Sequence, residues 1–220
     1  MIRLPDFGQS FEHENDFYLS CDPTRIGKFI AGYELYKMAL NLPGHIVECG
    51  VFKGTSLSRF AMFRSLLGNA YTARIIAFDT FGKFPETTFQ DDIEARGRFI
   101  QAAGSESISV EQMREVLERR GIAQNVDLIA GDITITVPAY VKDKPELKIS
   151  LLNLDTDIYE PAVKILECFY PRIVRGGILV LDDYAAFPGE TKAVDEYFQD
   201  MRIRIHKFPY ATTPCYIVKE

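Results

Sequence analysis

The sequence predicts an α/β fold, an open and mostly parallel sheet with helices on both faces and an antiparallel ending. Three observations predict it. Five short β-branched runs recur along the chain, separated by helical patterns or polar connections, which is how parallel sheets are built. The last two alternating runs, 202–208 and 215–219, have no helix between them and must pair antiparallel. Several runs end in Gly or Asp, and in open sheets of this kind ligands bind beyond the C-terminal strand ends.

Residues 1–22 are polar and aromatic without clear periodicity and read as an arm or lid. Asp22 can cap a helix with Pro23 at its first position, running to about Leu40. Ile26, Phe29, Ile30, Tyr33, Tyr36 and Leu40 recur at three- and four-residue steps on one face. The organisation expected is an arm and helix over 1–42 and a main domain over 43–220.

Pro43-Gly44 makes a turn into the first strand, HIVECGV, and Gly54 opens a helix from Thr55 to about Leu67. RIIAFDTF (74–81) is the second strand. Residues 82–108 are polar and read as a long excursion, a second lid candidate that carries Lys83, Glu86 and Arg96. Ser109 caps a helix stopped by Gly121. VDLIAGD (126–132), KISLLNLDTD (148–157) and GGILVLDDY (176–184) are strands three to five, with helices in EPAVKILECFYPRI and ETKAVDEYFQDM.

The chain has 220 residues, 47% of them hydrophobic, enough for one packed domain and against disorder. With 25 Lys+Arg against 31 Asp+Glu, the net charge of −6 argues against a nucleic-acid binder. Cysteines 21, 49, 168 and 215 form no C-x-x-C pair and read as reduced thiols. The N-terminus lacks a signal-type apolar core, and no apolar run reaches the ~20 residues of a membrane span. A soluble cytoplasmic protein is expected.

Function should therefore lie at the strand ends. The first ends in Glu48-Cys49-Gly50-Val51-Phe52-Lys53-Gly54-Thr55-Ser56. The backbone N–H groups of Gly54, Thr55 and Ser56 could face an anion at the helix start, or the glycines could serve only the turn. The pattern is neither G-x-G-x-x-G nor a Walker loop. Asp79, ending the second strand, suits a ribose diol or a plain turn. Asp132-Ile133 could address the amino edge and face of an adenine, or Asp132 could cap a helix. Asp155-Thr156-Asp157 and Asp182-Asp183 crowd carboxylates on one rim. Such crowding raises pKa values unless a cation intervenes, and carboxylate-only ligation suits a hard ion such as Mg²⁺. Alternatively Asp183 faces solvent. Asp157 is expected to cap the next helix. His45 and His206 do not look like general bases, His13 in the arm could reach a substrate but is not the expected base, and no G-x-S-x-G elbow occurs.

Taken in order, VECGVFKGTS, IIAFDTFGKFPE, LIAGDITITVP, LLNLDTDIYEPAVKILECFYPRIVRGGILVLDDY and PGETKAVDEYF resemble the macrocin-type O-methyltransferases over roughly residues 44–200. The ENDFYL segment is similar to a subfamily that includes enzymes assigned to nucleotide-activated deoxysugars. The resemblance implies a class I methyltransferase: a Rossmann-like, seven-stranded, mostly parallel sheet with an antiparallel last strand and an N-terminal helical arm. It implies S-adenosylmethionine held by Glu48, Gly50, Gly54, Thr55, Ser56, Asp79, Thr80, Phe81, Asp132 and Ile133. It implies Mg²⁺ on Asp155, Asp182 and Asp183, with Asp155 also the general base.

The implied chemistry is transfer of a methyl group to a deoxysugar hydroxyl, on a nucleotide sugar or a glycosylated natural product. A sugar hydroxyl is a poor nucleophile until a metal lowers its pKa and orients it. Asp155 can then accept the proton, and the protein's task is alignment with water excluded. Two alternatives share the motifs: a catechol-type O-methyltransferase on another diol, and a non-catalytic cofactor-binding homologue. The expected partner is a small sugar acceptor, with neither nucleic acid nor membrane, in a homo-oligomer as in relatives.

Overall fold

The computed structural model describes residues 1–220. Seven strands form one sheet in the order β3-β2-β1-β4-β5-β7-β6. They are β1 (His45–Cys49), β2 (Ile75–Asp79), β3 (Val126–Ala130), β4 (Ile149–Leu154), β5 (Ile173–Leu181), β6 (His206–Lys207) and β7 (Cys215–Val218). The first five pair in parallel, whereas β7 runs antiparallel to both β5 and β6. The expected sheet with its reversed ending is present, although β3 and β6 are shorter than the sequence suggests and β5 begins earlier.

The helices are α1 (Ser10–Ser20), α2 (Pro23–Ala39), α3 (Thr55–Leu67), α4 (Gln90–Ala103), α5 (Val110–Arg119), α6 (Ile133–Asp143), α7 (Tyr159–Phe169) and α8 (Pro188–Phe198). No helix is long and apolar enough to cross a membrane. The central strands β2 and β4 are buried along their whole length because both faces are covered. One face packs Leu35 and Tyr36 of α2 with Leu57, Phe60 and Phe63 of α3 and Met113 of α5. The other packs Val137 of α6, Ile165 and Phe169 of α7 and Val194 of α8.

Local chemistry sets the helix starts. Asp22 accepts from Thr24 N and caps α2, with Pro23 first in the helix. Ser109 and Gln112 form a reciprocal capping box on α5. Three expectations need correction. The 82–108 excursion contains α4, a largely polar helix whose buried Asp92 anchors it. The 1–22 arm contains α1, none of whose residues is buried. Asp157 does not cap α7: it sits at φ +62°, and the residue preceding that helix is Ile158.

Asp92 takes over the capping. Its Oδ2 accepts from Tyr159 N at the start of α7 (2.9 Å) and its Oδ1 from Gly189 N at the start of α8 (2.7 Å). One buried carboxylate thus satisfies orphan N–H groups of two helices and sits where their dipoles favour negative charge. Glycine is required at 189, since a Cβ there would overlap the Asp92 carboxylate.

Candidate active site

The chain moves outward from β1 to β3 and then crosses back to β4, so β1 and β4 flank the point where strand order reverses. Crevices at such points hold ligands. The sheet register carries one step beyond the strands here. Gly50 N donates to Phe78 O (2.8 Å), Asp155 N to Cys49 O (2.9 Å) and Asp182 N to Leu154 O (3.0 Å). That alignment places Gly50, Asp79, Asp155 and Asp182 along one rim. Gly50 has φ +94°, and its α-carbon lies so near β4 that a Cβ would overlap the Asp155 carbonyl oxygen.

Two cavities open on this rim. The first, about 300 Å³, is lined among others by Gly50, Asp79, Thr80, Asp132, Ile133 and Asp155. The second, about 480 Å³, lies under α1 and α2 and adds Arg25, Lys28, Lys53, Arg59, Asp182 and Asp183. Phe52, Asp155 and Asp157 belong to both, so they form the partition between them.

The loop after β1 is held from below. Asp79 Oδ2 accepts from Val51 N (2.8 Å) and Phe52 N (3.0 Å), and Oδ1 from Phe81 N (2.7 Å) and Ser107 Oγ (2.8 Å). Its carboxylate therefore organises the loop while lining the first cavity. Glu48 is fully buried beneath that loop and accepts from Ser56 Oγ; burial pushes its carboxyl up to about 8, and its Oε2 has no partner. Gly54, at φ +81°, abuts the Met113 sulfur of α5. Thr55 and Ser56 face the second cavity rather than the first. Phe81 is buried outside both linings, and Asp132 caps α6 through Thr134 N (2.8 Å) while its side remains on the first cavity.

Asp155, Asp182 and Asp183 offer oxygen atoms that all lie within 4.8 Å of one another. Burial and the other two carboxylates push the Asp155 carboxyl well above the usual carboxylate range. The same holds for Asp183, through burial and its neighbours Asp157 and Asp182. Asp157 is raised to about 7 by burial and Asp155. No donor reaches the buried Asp183 Oδ2. Behind them, buried Glu190 accepts from Asp183 N (3.0 Å) and leaves Oε2 unpartnered. A carboxylate-only set with an orphaned oxygen fits a hard divalent cation.

Several groups escaped the sequence reading. Lys28 of α2 reaches the rim and donates to Asp182 Oδ2 at 2.5 Å. Arg25 and Arg59 line the second cavity. Glu160 of α7 accepts from Thr87 Oγ1 (2.9 Å), Thr88 N (2.7 Å) and Thr88 Oγ1 (2.6 Å), tying down the loop that borders the first cavity. Arg96 and Glu86, named in the sequence as charges of the excursion, pair with each other, and Arg96 braces the same loop by donating to Pro85 O and Phe84 O.

The family model for macrocin-O-methyltransferase (TylF) matches residues 35–208. The chain belongs to that family. Its sequence is 30% identical over 151 residues to 8-demethyl-8-(2,3-dimethoxy-alpha-L-rhamnosyl)-tetracenomycin-C 4'-O-methyltransferase of Streptomyces olivaceus, covering 67% of this chain and 56% of the relative. The chain spans 56–61% of the length of the curated relatives it matches. Among solved structures it superposes on CalS11, a calicheamicin methyltransferase, with TM-score 0.80 and 27% identity over 97% of this chain and 86% of that one. The apo form of CalS11, described as a TDP-rhamnose 3'-O-methyltransferase, gives TM-score 0.72 and 26% identity over 97% and 88% of the two chains. A macrocin-family chain on a class I methyltransferase fold is what the motifs implied.

Proposed function

We propose that this chain transfers a methyl group from S-adenosylmethionine to a hydroxyl of a deoxysugar, with a divalent ion at the acidic rim and a nucleoside-diphosphate sugar as acceptor. The observation that carries the proposal is the carboxylate cluster at the partition between two cavities. One cavity would take the methyl donor, through Gly50, Asp79, Thr80, Asp132 and Ile133, with Glu48 and Gly54 shaping the loop. The other would take the acceptor.

Asp155, Asp182 and Asp183 would hold the ion, Mg²⁺ by the chemistry of the ligands. Bound there, it would lower the pKa of a ligated hydroxyl and fix its direction. Asp155 is the one of the three that reaches both cavities, so it is placed to accept the hydroxyl proton. Phe52 and Asp157 complete the partition and limit water between the two reactants.

The acceptor cavity also holds two arginines that form no salt bridge. Arg25 is exposed and Arg59 half-buried, with Lys53 beside them donating to Glu106 O. A pair of guanidinium groups suits a diphosphate, and the apo CalS11 description names a TDP-sugar as that protein's substrate. The 1–22 arm would act as the lid. Its α1 exposes Phe11, Phe17, Tyr18 and Leu19, apolar surface that fits cover by a second copy in a homo-oligomer. All four cysteines are free thiols, in keeping with a reducing cytoplasm.

The test is methyl transfer by chelator-treated protein, followed as S-adenosylhomocysteine release, with TDP-deoxysugars, glycosylated aglycones and catechols compared. The expected result is Mg²⁺-dependent turnover on a TDP-deoxysugar, abolished in Asp155→Asn with cofactor affinity largely kept. Turnover confined to catechols, or cofactor binding without turnover on any sugar, would overturn the proposal.

A further inference from the structure

Lys28 stands on α2, far from the strand-end motifs in sequence, yet its ammonium lies 2.5 Å from Asp182 Oδ2. The Asp182 side chain is 7% exposed and that of Lys28 26%. Burial works against the lysine's charge, but Asp182, Asp155 and Asp183 outweigh it and hold the ammonium above the ordinary lysine range. Lys28 is thus the cation attached to a cage of three closely spaced carboxylates.

A divalent ion on the same carboxylates would meet that ammonium at close range. Both want Asp182, and two cations sharing one carboxylate repel each other. The lysine has room to leave. Its four-carbon stem is flexible, and it lines the acceptor cavity. The helix does not have that freedom. A Cβ at Gly27 would overlap the Tyr210 carbonyl oxygen, so α2 is seated directly on that backbone, and Leu35 and Tyr36 anchor it in the core. Any exchange must be a swing of the side chain.

We propose that Lys28 is a tethered counter-ion for the cage: it holds Asp182 in the metal-free protein, and a divalent ion displaces it into the acceptor cavity. There the ammonium joins Arg25 and Arg59 and adds a third donor for an anionic acceptor. Metal binding would then complete the acceptor site as well as fill the cage. This rests on the reading of the cage as a divalent-ion site.

The experiment is calorimetric titration of the full-length, chelator-treated protein with Mn²⁺ and Mg²⁺, comparing wild type with Lys28→Met, Lys28→Gln and Lys28→Arg. Circular dichroism and thermal unfolding establish that each variant is folded. The neutral variants should bind the ion roughly tenfold more tightly than wild type, since a competing charge has been removed. Lys28→Arg, which keeps the charge, should stay near wild type. In chelator the neutral variants should melt below wild type, and saturating Mg²⁺ should close that gap. Equal or weaker ion binding in both folded neutral variants would overturn the counter-ion role while leaving the cage intact. No binding by wild type or any variant at millimolar ion would overturn the divalent-ion reading itself, and this proposal with it.

Discussion

Gly50→Ala tests whether the contact between β1 and β4 is as tight as the geometry requires. The glycine has φ +94°, where an L side chain costs about 1–2 kcal/mol. The added Cβ would overlap the Asp155 carbonyl oxygen and lie 2.6 Å from its carbonyl carbon. Asp155 cannot retreat freely, because its N–H is bonded to Cys49 O at 2.9 Å. Forcing a methyl group into such a contact costs a further 1–3 kcal/mol, roughly. The sum, about 2–5 kcal/mol, is a large part of the ~5–15 kcal/mol that holds a domain folded. Urea unfolding should show that loss, and the melting temperature should fall by roughly 5–20 °C. Because Asp155 bounds both cavities, S-adenosylmethionine binding by calorimetry should weaken more than stability alone explains. A variant with unchanged midpoint and unchanged cofactor affinity would refute the close approach.

Other substitutions probe separate parts. Asp92→Ala leaves two buried helix N–H groups unpaired and should cost roughly 2–5 kcal/mol in urea unfolding, with Asp92→Asn intermediate. Arg25→Ala with Arg59→Ala should raise KM for a TDP-sugar about tenfold or more and flatten its salt dependence, while S-adenosylmethionine affinity stays put; an unchanged KM would remove the diphosphate assignment. Glu48 should govern part of the pH dependence of stability. Its folded pKa of about 8 exceeds the unfolded value near 4.5, so the folded state binds the extra proton between them. Stability should therefore fall as pH rises through that window, by a few kcal/mol in all, and Glu48→Gln should remove that part of the slope. Melting temperatures of both proteins from pH 5 to 9 give the comparison, and parallel curves would refute it.

The order of strands and the acids at their ends were legible because both are local. A β-branched run and the residue that follows it announce themselves together, whereas the alignment of Gly50, Asp155 and Asp182 also depends on register shifts in the β1–β4 and β4–β5 pairings. What lay hidden was whatever depended on distance through space. Lys28 lies 154 residues from Asp182, and nothing around it marks it as a rim residue. Asp92 looks like an ordinary acid in a polar stretch, yet it caps two helices that begin at 159 and 188. Helix α6 was announced only by Asp132 as a possible cap, for a different reason. ITITVPAY is β-branched and contains Pro138, a pattern that argues against a helix. Asp132 capping the first turn, and burial of Ile133 and Val137, outweigh that local preference.

The distribution of charge in the second cavity would orient the proposed acceptor. At its inner end stand Asp155, Asp182 and Asp183, gathered by the sheet register and ready for a cation. On its α2 and α3 walls stand Arg25 and Arg59, ready for an anion. An acceptor with a neutral hydroxyl-bearing ring at one end and a phosphate at the other meets opposite fields along the cavity. On the proposed reading the hydroxyl-bearing end goes to the caged ion and the phosphate to Arg25 and Arg59. A neutral glycosylated aglycone lacks that discrimination and would leave both guanidinium groups without a partner. In the proposed reaction the anionic end would fix which way the sugar points, and the partition at Asp155 which side of the ring faces the methyl donor.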